Sequence, residues 1–349
     1  AKFDGKGDEK WVTQLNTRLD NAAKTVSVSS DGTVTVGGTI STGLSSSDTT
    51  SDSDAYLMQI SNKGKIVAKQ QFGTSGNDAV AASTYDDSGN LYVVTTGNGH
   101  AVLSKYAAGA DGTIDVTANP TWSQDLGDIG LSGTVSDIAI SGNGIYIAGN
   151  TAKGAFADGT ATTANASSGG TDAFVYKLTD DKSGSAATAD YVTFVGTSGK
   201  DTAGALAVAS DGTVYLTGTT DGTFEGNTRD VDNTTNAFVA SIDGENGTVA
   251  WTKQYGGLSG QSTGVGIAVD EDGSNVLDAL GLPTGTVQSS VVSGSLTDET
   301  TVKVGDSFKI EIDSGSSTRT TTVTIDAGET LRGLVTDINS RLEIGRAHV

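Results

Sequence analysis

One pattern of ten residues occurs four times along this chain. DGTVTVGGTI (31–40), SGNLYVVTTG (88–97), GNGIYIAGNT (142–151) and DGTVYLTGTT (211–220) each open on a turn containing Gly or Asn. Each then runs into an alternating strand that ends in small or hydroxyl residues. A second strand recurs out of phase with the first: DAYLMQI (54–60), HAVLSKY (100–106), DAFVYKL (172–178) and NAFVASI (236–242). A third recurs as WVTQL (11–15), AKQQFG (68–73), WSQDLG (122–127), YVTFVG (191–196) and WTKQYG (251–256). A fourth precedes the ten-residue pattern in AKTVSVS (23–29), VSDIAIS (135–141), AGALAVAS (203–210) and VGIAVD (265–270). A fifth unit begins at VDEDGSNV (269–276) and then departs from the pattern.

Four strands in a unit of roughly 55 residues, repeated in tandem, are the mark of propeller blades. An isolated four-stranded sheet cannot bury both faces, so each blade needs a neighbour on either side. Period-2 alternation supplies one side-chain set for each neighbour. Trp11, Trp122, Tyr191 and Trp251 share one register and are expected to be packing anchors between blades. AKFDGKGDEKW (1–11) aligns with ASIDGENGTVAW (240–251), so the chain is expected to open partway through a blade, with about four and a half blades over residues 1–281.

Composition agrees with strands and tight turns. Gly is abundant at 48 of 349 residues, Pro is nearly absent at 2, and hydrophobic residues reach only 35%. A net charge of −21 argues against nucleic acid and anionic membrane surfaces as partners, since both need clustered Lys and Arg. It favours partners with basic patches. The absence of Cys removes disulfides, Cys-ligated zinc and thiol chemistry. No apolar run is long enough to span a bilayer, and no signal-peptide pattern opens the chain.

After the repeats, residues 282–301 read as a linker. VKVGDSFKIEI (302–312) and RTTTVTI (319–325) read as a hairpin, turned at GSS (315–317). Asp326 with Glu329 three residues on marks a helix start. Leu331, Leu334, Val335, Ile338 and Leu342 follow at helical spacing. The expected fold is therefore an all-β propeller fragment of four-stranded blades followed by a small α+β (ββα) module over 302–343. Residues 344–349 close the stretch EIGRAHV, which breaks the helix pattern and reads as a translated library adapter. They are expected to be an artefact.

Three resemblances follow. FGTSGNDAVAASTYDDSGNLYVV (72–94) and VGTSGKDTAGALAVASDGTVYLTGTT (195–220) resemble the SBBP-type β-propeller repeats of bacterial extracellular proteins. Those motifs imply a fold more than an activity. The hairpin and helix, with Thr330, Leu331, Ile338 and Asn339, resemble the module inserted in flagellins and hook-associated proteins. Propeller repeats, the LGLPTG junction (280–285) and this module together resemble alphaproteobacterial regulators of flagellin processing and filament assembly. That resemblance implies a protein partner such as flagellin or the export apparatus, and an extracellular or cell-surface, flagellum-associated location.

Chemistry-bearing patterns are sparse. With residues 344–349 set aside, His100 is the remaining histidine; it is expected at a blade edge, and a nucleophile–base–acid triad is not expected. DEDGSN (270–275), DDSGN (86–90) and RDVDNTTN (229–236) offer oxygen ligands, and two GTSG-(N/K)-D segments have a calcium-site flavour, but none completes a calcium loop. IDGENGTVAW (242–251) resembles the Trp-bearing motif of quinoprotein dehydrogenase propellers, without the Cys pair expected there. No catalytic, cofactor or metal residue is assigned, and the chain is expected to be a non-enzymatic binding or scaffold protein. A secreted adhesin with calcium sites and a quinoprotein-like enzyme are the alternatives.

Overall fold

The Asp-Gly and Ser-Gly turns that open the repeated pattern close by one geometry. Gly32, Gly89 and Gly212 take φ of 84°, 81° and 87°, a region that Cβ-bearing residues avoid. The Asp before each turn strand locks it from its side chain. Asp31 Oδ1 accepts the Thr33 N–H at 2.9 Å, Asp211 Oδ1 the Thr213 N–H at 2.9 Å, and Asp86 Oδ1 the Ser88 and Asn90 N–H groups at 2.9 and 2.8 Å.

The structure is a computed structural model. It describes residues 1–14, 21–41, 52–110, 112–154, 161–227, 235–256, 261–269, 303–313, 318–328, 330 and 334. The chain divides into two compact units, Ala1–Glu271 and Asp272–Val349.

The first unit is built from four antiparallel sheets and a hairpin. β1 (Lys2–Phe3) pairs with β2 (Glu9–Trp11). Blade 1 runs in the order β3 (Asn21–Val28), β4 (Val34–Ile40), β5 (Asp54–Ile60), β6 (Ile66–Phe72). Blade 2 follows with β7 (Asp78–Tyr85), β8 (Leu91–Gly97), β9 (His100–Tyr106) and β10 (Trp122–Asp128). Blade 3 has β11 (Thr134–Ser141), β12 (Gly144–Thr151), β14 (Asp172–Thr179) and β15 (Thr188–Val195), with β13 (Thr162–Asn165) added parallel to β15 at its outer edge. Blade 4 has β16 (Asp201–Val208), β17 (Val214–Thr220), β18 (Asn236–Ile242) and β19 (Val249–Tyr255). This is an all-β array of propeller blades, and in blades 1 to 4 the strands lie where the four sequence patterns place them.

The β1–β2 hairpin has the geometry of a third-to-fourth-strand turn. Asp4 accepts the Lys6 and Asp8 N–H groups at 2.9 and 3.0 Å, as Asp243 accepts that of Glu245 at 2.8 Å between β18 and β19.

Alternation divides blades 1 to 3 between two cores each. In blade 3, Ile145, Ile147, Phe174, Tyr176, Leu178 and Phe194 pack with blade 2 residues Tyr92, Leu103 and Trp122. From the opposite face of the same strands, Tyr146, Ala148, Val175 and Val195 pack with Leu206, Leu216 and Phe238 of blade 4. A one-residue slip in any strand would exchange these two sets.

Every first strand also carries a β-bulge, after Ala23, Val80, Val135 and Ala203. The residue beyond the bulge reaches the first strand of the following blade. Thr25 Oγ1 accepts the Ser83 N–H at 3.1 Å, and Asp137 Oδ2 accepts the Leu206 N–H at 2.9 Å. Ala82 holds that position in blade 2 and has no acceptor, and there Asp137 Oδ1 accepts the N–H of its own neighbour Ile138 at 2.8 Å. Asp137 thus accepts two backbone N–H groups, one of its own first strand and one of the next. Asp137→Ala is expected to cost about 2 kcal/mol, the penalty for buried donors left unpaired. Asp137→Asn, which keeps one acceptor, should cost about half of that. The urea midpoints of the two variants check this.

Two expectations are corrected. The first strand expected at 265–270 is not a strand over its described residues. Ser262 N–H donates to the Thr235 carbonyl at 3.1 Å, as Asp201 does to Thr171 and Asp78 to Ser53. The segment therefore enters in register, but no second strand is described to pair with it. Trp251, expected as a packing anchor, is 42% exposed, against 7% for Trp122, because no described blade covers its face.

In the second unit, β20 (Ser307–Asp313) and β21 (Thr318–Thr324) form the expected antiparallel hairpin. Leu334 N–H donates to the Thr330 carbonyl at 2.9 Å, a single helical step. The rest of the expected helix, the linker 282–301 and residues 344–349 lie outside the described residues.

Candidate binding site on the second blade

In blades 1 and 2 the first residue of the third strand bonds to a side chain near the end of the fourth. In blade 1, Gln71 Nε2 donates to Asp54 Oδ2 at 2.6 Å. Phe194 holds the Gln71 position in blade 3 and Gln254 holds it in blade 4, where its side chain bonds instead to the Phe224 N–H and the Gly222 carbonyl. Asp54, Asp172 and Asn236 are all buried. Blade 2 places His100 against Asp125, Nδ1 to Oδ2 at 3.0 Å, and both are about half exposed.

Two local features cause that departure. The fourth-strand irregularity of blade 2 lies between Asp125 and Gly127, where Gly127 takes a φ of 103° and its N–H bonds to Asp125 Oδ1 at 2.8 Å. The connection between β8 and β9 is cut to Asn98–Gly99, both left-handed with φ of 51° and 82°, the preferred two-residue hairpin chemistry. Bulges re-aim side chains where a strand meets a functional surface. Here they frame a cleft of about 510 Å³ with an apolar floor of Ala55, Phe72 and Val102 and a rim of Thr74, His100 and Asp125. A second hollow of about 340 Å³ lies beyond the turn, between Asn98 and Leu131.

His100 is thus at a blade edge, as its position in the sequence implied. Its contact is a carboxylate, and no hydroxyl of the described residues is bonded to it. The site can donate and accept hydrogen bonds and presents negative charge. It does not assemble a nucleophile with a base among the described residues.

A buried ionic cluster lies deeper in the junction of blades 2 and 3. Lys105 Nζ and the Tyr92 hydroxyl both donate to Asp180 Oδ2 at 2.6 Å, with Trp122 edge-on to Tyr92 at 6.1 Å. Burial pushes the Tyr92 hydroxyl well up, and the Asp180 and Asp86 carboxylates add to this. Burial also works to raise Asp180, but the Lys105 ammonium and Tyr92 hydroxyl outweigh it and the net direction is down. Blade 3 repeats the platform with Tyr146, Lys177 and Tyr191. The two tyrosine hydroxyls each donate to the Gly244 carbonyl of blade 4 at 3.4 Å. In blade 4 Tyr215 and Trp251 meet at 6.1 Å with no described partner beyond them.

The acidic segments split. DEDGSN (270–275) and most of RDVDNTTN (229–236) lie outside the described residues. The Asp86 carboxylate of DDSGN is taken up by Ser88 and Asn90. In the GTSG segments, Asp78 accepts the Thr74 N–H at 2.6 Å and Asp201 the Thr197 N–H at 2.7 Å, so these carboxylates pin crossings between blades. Among the described residues no three or more His, Asp or Glu side chains cluster as a metal site. None of the described helical residues forms a helix long and apolar enough to cross a membrane.

No family model matches the chain. One curated relative is 32% identical over 366 aligned positions, covering 97% of this chain. It is Regulatory protein FlaEY of Caulobacter vibrioides. The chain spans 37% of that relative's length. The resemblance to such a regulator, read first from the repeats and the LGLPTG junction, therefore extends along nearly the whole chain. Among solved structures, Sqt1 from Chaetomium thermophilum aligns over 64% of this chain and 43% of its own, at 11% identity and a TM-score of 0.35. The Neurospora crassa Pan2 WD40 domain aligns over 61% and 64%, at 13% identity and a TM-score of 0.31.

Proposed function

We propose that this chain is a non-enzymatic binding platform within a flagellum-associated regulatory protein. It acts at the cell surface or outside the cell and engages flagellin or the flagellar export apparatus. The observation that carries this reading is the 32% identity to FlaEY across 97% of the chain. The flagellar part comes from the likeness of the C-terminal hairpin and helix to flagellin-type modules. Rigid blades with packed junctions suit a scaffold, and an acidic surface suits a partner with basic patches.

The test is capture of purified flagellin by the full-length protein that contains this chain, immobilised at physiological salt. Flagellin is expected to be retained. Flagellin that passes through unretained, over protein whose far-ultraviolet circular dichroism shows folded β-structure, overturns the proposal.

A further inference from the structure

Strand edges with free N–H and C=O groups are templates for further strands, and blades 3 and 4 cover theirs. In blade 3 the segment between the second and third strands lays β13 parallel along β15, pairing Thr162 with Tyr191 and Thr163 with Val192. Asn165 Nδ2 extends the cover by donating to the Phe194 carbonyl at 2.6 Å. In blade 4 the corresponding segment brings Asn227 to β19. Its Nδ2 donates to the Thr252 carbonyl at 3.2 Å and its Oδ1 accepts the Gln254 N–H at 3.0 Å. In blade 1 residues 42–51 of the corresponding segment lie outside the described residues.

Blade 2 has no such segment, because Asn98–Gly99 replaces it. Ser123 and Asp125 hold the positions of Thr252 and Gln254, so their backbone groups point to the same outer side. The Ser123 side chain turns to Ser104, 2.7 Å between hydroxyls. Among the described residues no group hydrogen-bonds to the outer backbone of Ser123. The exposed Asp125 carboxylate stands on this edge, whereas Asp128, further along the strand, is held by Lys153 at 2.7 Å.

We propose that the outer edge of β10 takes an extended segment of a basic polypeptide as an added strand, as β13 adds to β15, with a Lys or Arg side chain meeting Asp125. Backbone pairing would give affinity and the carboxylate would select charge, the usual division of labour in strand addition. The proposal rests on this edge and not on the flagellar reading.

The probe is a blocked decapeptide alternating Thr and Lys, added to the full chain and followed by hydrogen-exchange mass spectrometry and calorimetry. Protection confined to the peptides spanning 122–128 is expected. A Lys–Pro decapeptide of equal charge, which does not adopt a strand, should bind at least tenfold more weakly. Ser123→Pro removes the outward N–H, Asp125→Lys reverses the charge at the cost of the Gly127 N–H bond, and Asp125→Asn removes the charge while keeping an acceptor for it. Each should reduce affinity at least tenfold. Equal binding of the two decapeptides, protection elsewhere in the chain, unchanged affinity in Asp125→Lys, or no binding at all overturns the proposal.

Discussion

Asp180→Ala lowers the unfolding midpoint of the chain by on the order of 10 °C. The carboxylate lies between blades 2 and 3 and is nearly inaccessible to water, as is the Lys105 ammonium it accepts at 2.6 Å. Removing one member of a buried ion pair leaves the other charge without its partner, at a cost of about 3–5 kcal/mol. Each kcal/mol moves the midpoint of a domain this size by about 2–4 °C. Tyr92 loses its hydroxyl acceptor in the same variant, while Asp86 Oδ2, 3.4 Å away, is too distant to replace it fully. The double variant Lys105→Met with Asp180→Leu should recover part of the loss, because burying two apolar groups costs no charge desolvation, while the Tyr92 hydroxyl and Lys182 N–H remain without their acceptor. Differential scanning calorimetry of the two single variants and the double closes the cycle. An Asp180→Ala midpoint within 2 °C of the parent, an order-of-magnitude threshold for one disturbed contact, would show that the pair adds nothing to the junction.

The blades were legible because packing on two neighbours imposes the same alternation on every unit. Thr35, Tyr92, Tyr146 and Tyr215 all fall on the second strand, and the third and fourth strands of blades 1 to 4 form where their patterns lie, while WVTQL meets β2 only at Trp11. β13 was not legible. TTAN is four residues long and wholly exposed, so it leaves no hydrophobic period to read. Over 265–269 the alternation is present without an assigned strand, since a strand is a paired object and the residues that would pair with it lie outside the described ones. The acidic chemistry of blade 2 was missed for a different reason. Aligning His100 with Asp54, Asp172 and Asn236, and Asp125 with Gln71, Phe194 and Gln254, shows that blade 2 alone sets a histidine against a carboxylate at these positions. Lys105 and Asp180 could have been found the same way, since Lys105 falls on the inward side of an otherwise apolar alternation.

The second large effect depends on pH. Asp172 is buried at the junction of blades 3 and 4, and its Oδ1 has no hydrogen-bond partner. In blade 1 the same position receives the Gln71 amide, but blade 3 has Phe194 there and offers no donor. A Cβ at Gly196 would strike the Asp172 carboxylate, so the backbone already lies as close as glycine allows. Ser168 and Gly169 N–H groups bond to the carboxyl and favour its charged form. Burial opposes them and dominates, the Asp201 carboxylate adds repulsion, and the Asp172 pKa is pushed up to about 6 from 3.8. The folded state therefore holds a proton that the unfolded chain has released. This contribution is fully present below the unfolded value and is lost as pH rises through about 6. At 1.4 kcal/mol per pKa unit, the charged carboxylate costs the fold roughly 3 kcal/mol at pH 7.5. Asp172→Asn has no charge to bury and offers an N–H₂ of similar shape. It should exceed the parent in stability by about 2–3 kcal/mol at pH 7.5, with the gap closing as pH falls toward 4.5. Comparing the two proteins by urea unfolding at each pH cancels the titration of every other carboxylate. Two stability curves that run parallel between pH 4.5 and 7.5, a window set by the shift, would mean that Asp172 titrates normally and that the unpaired oxygen finds a donor in solution.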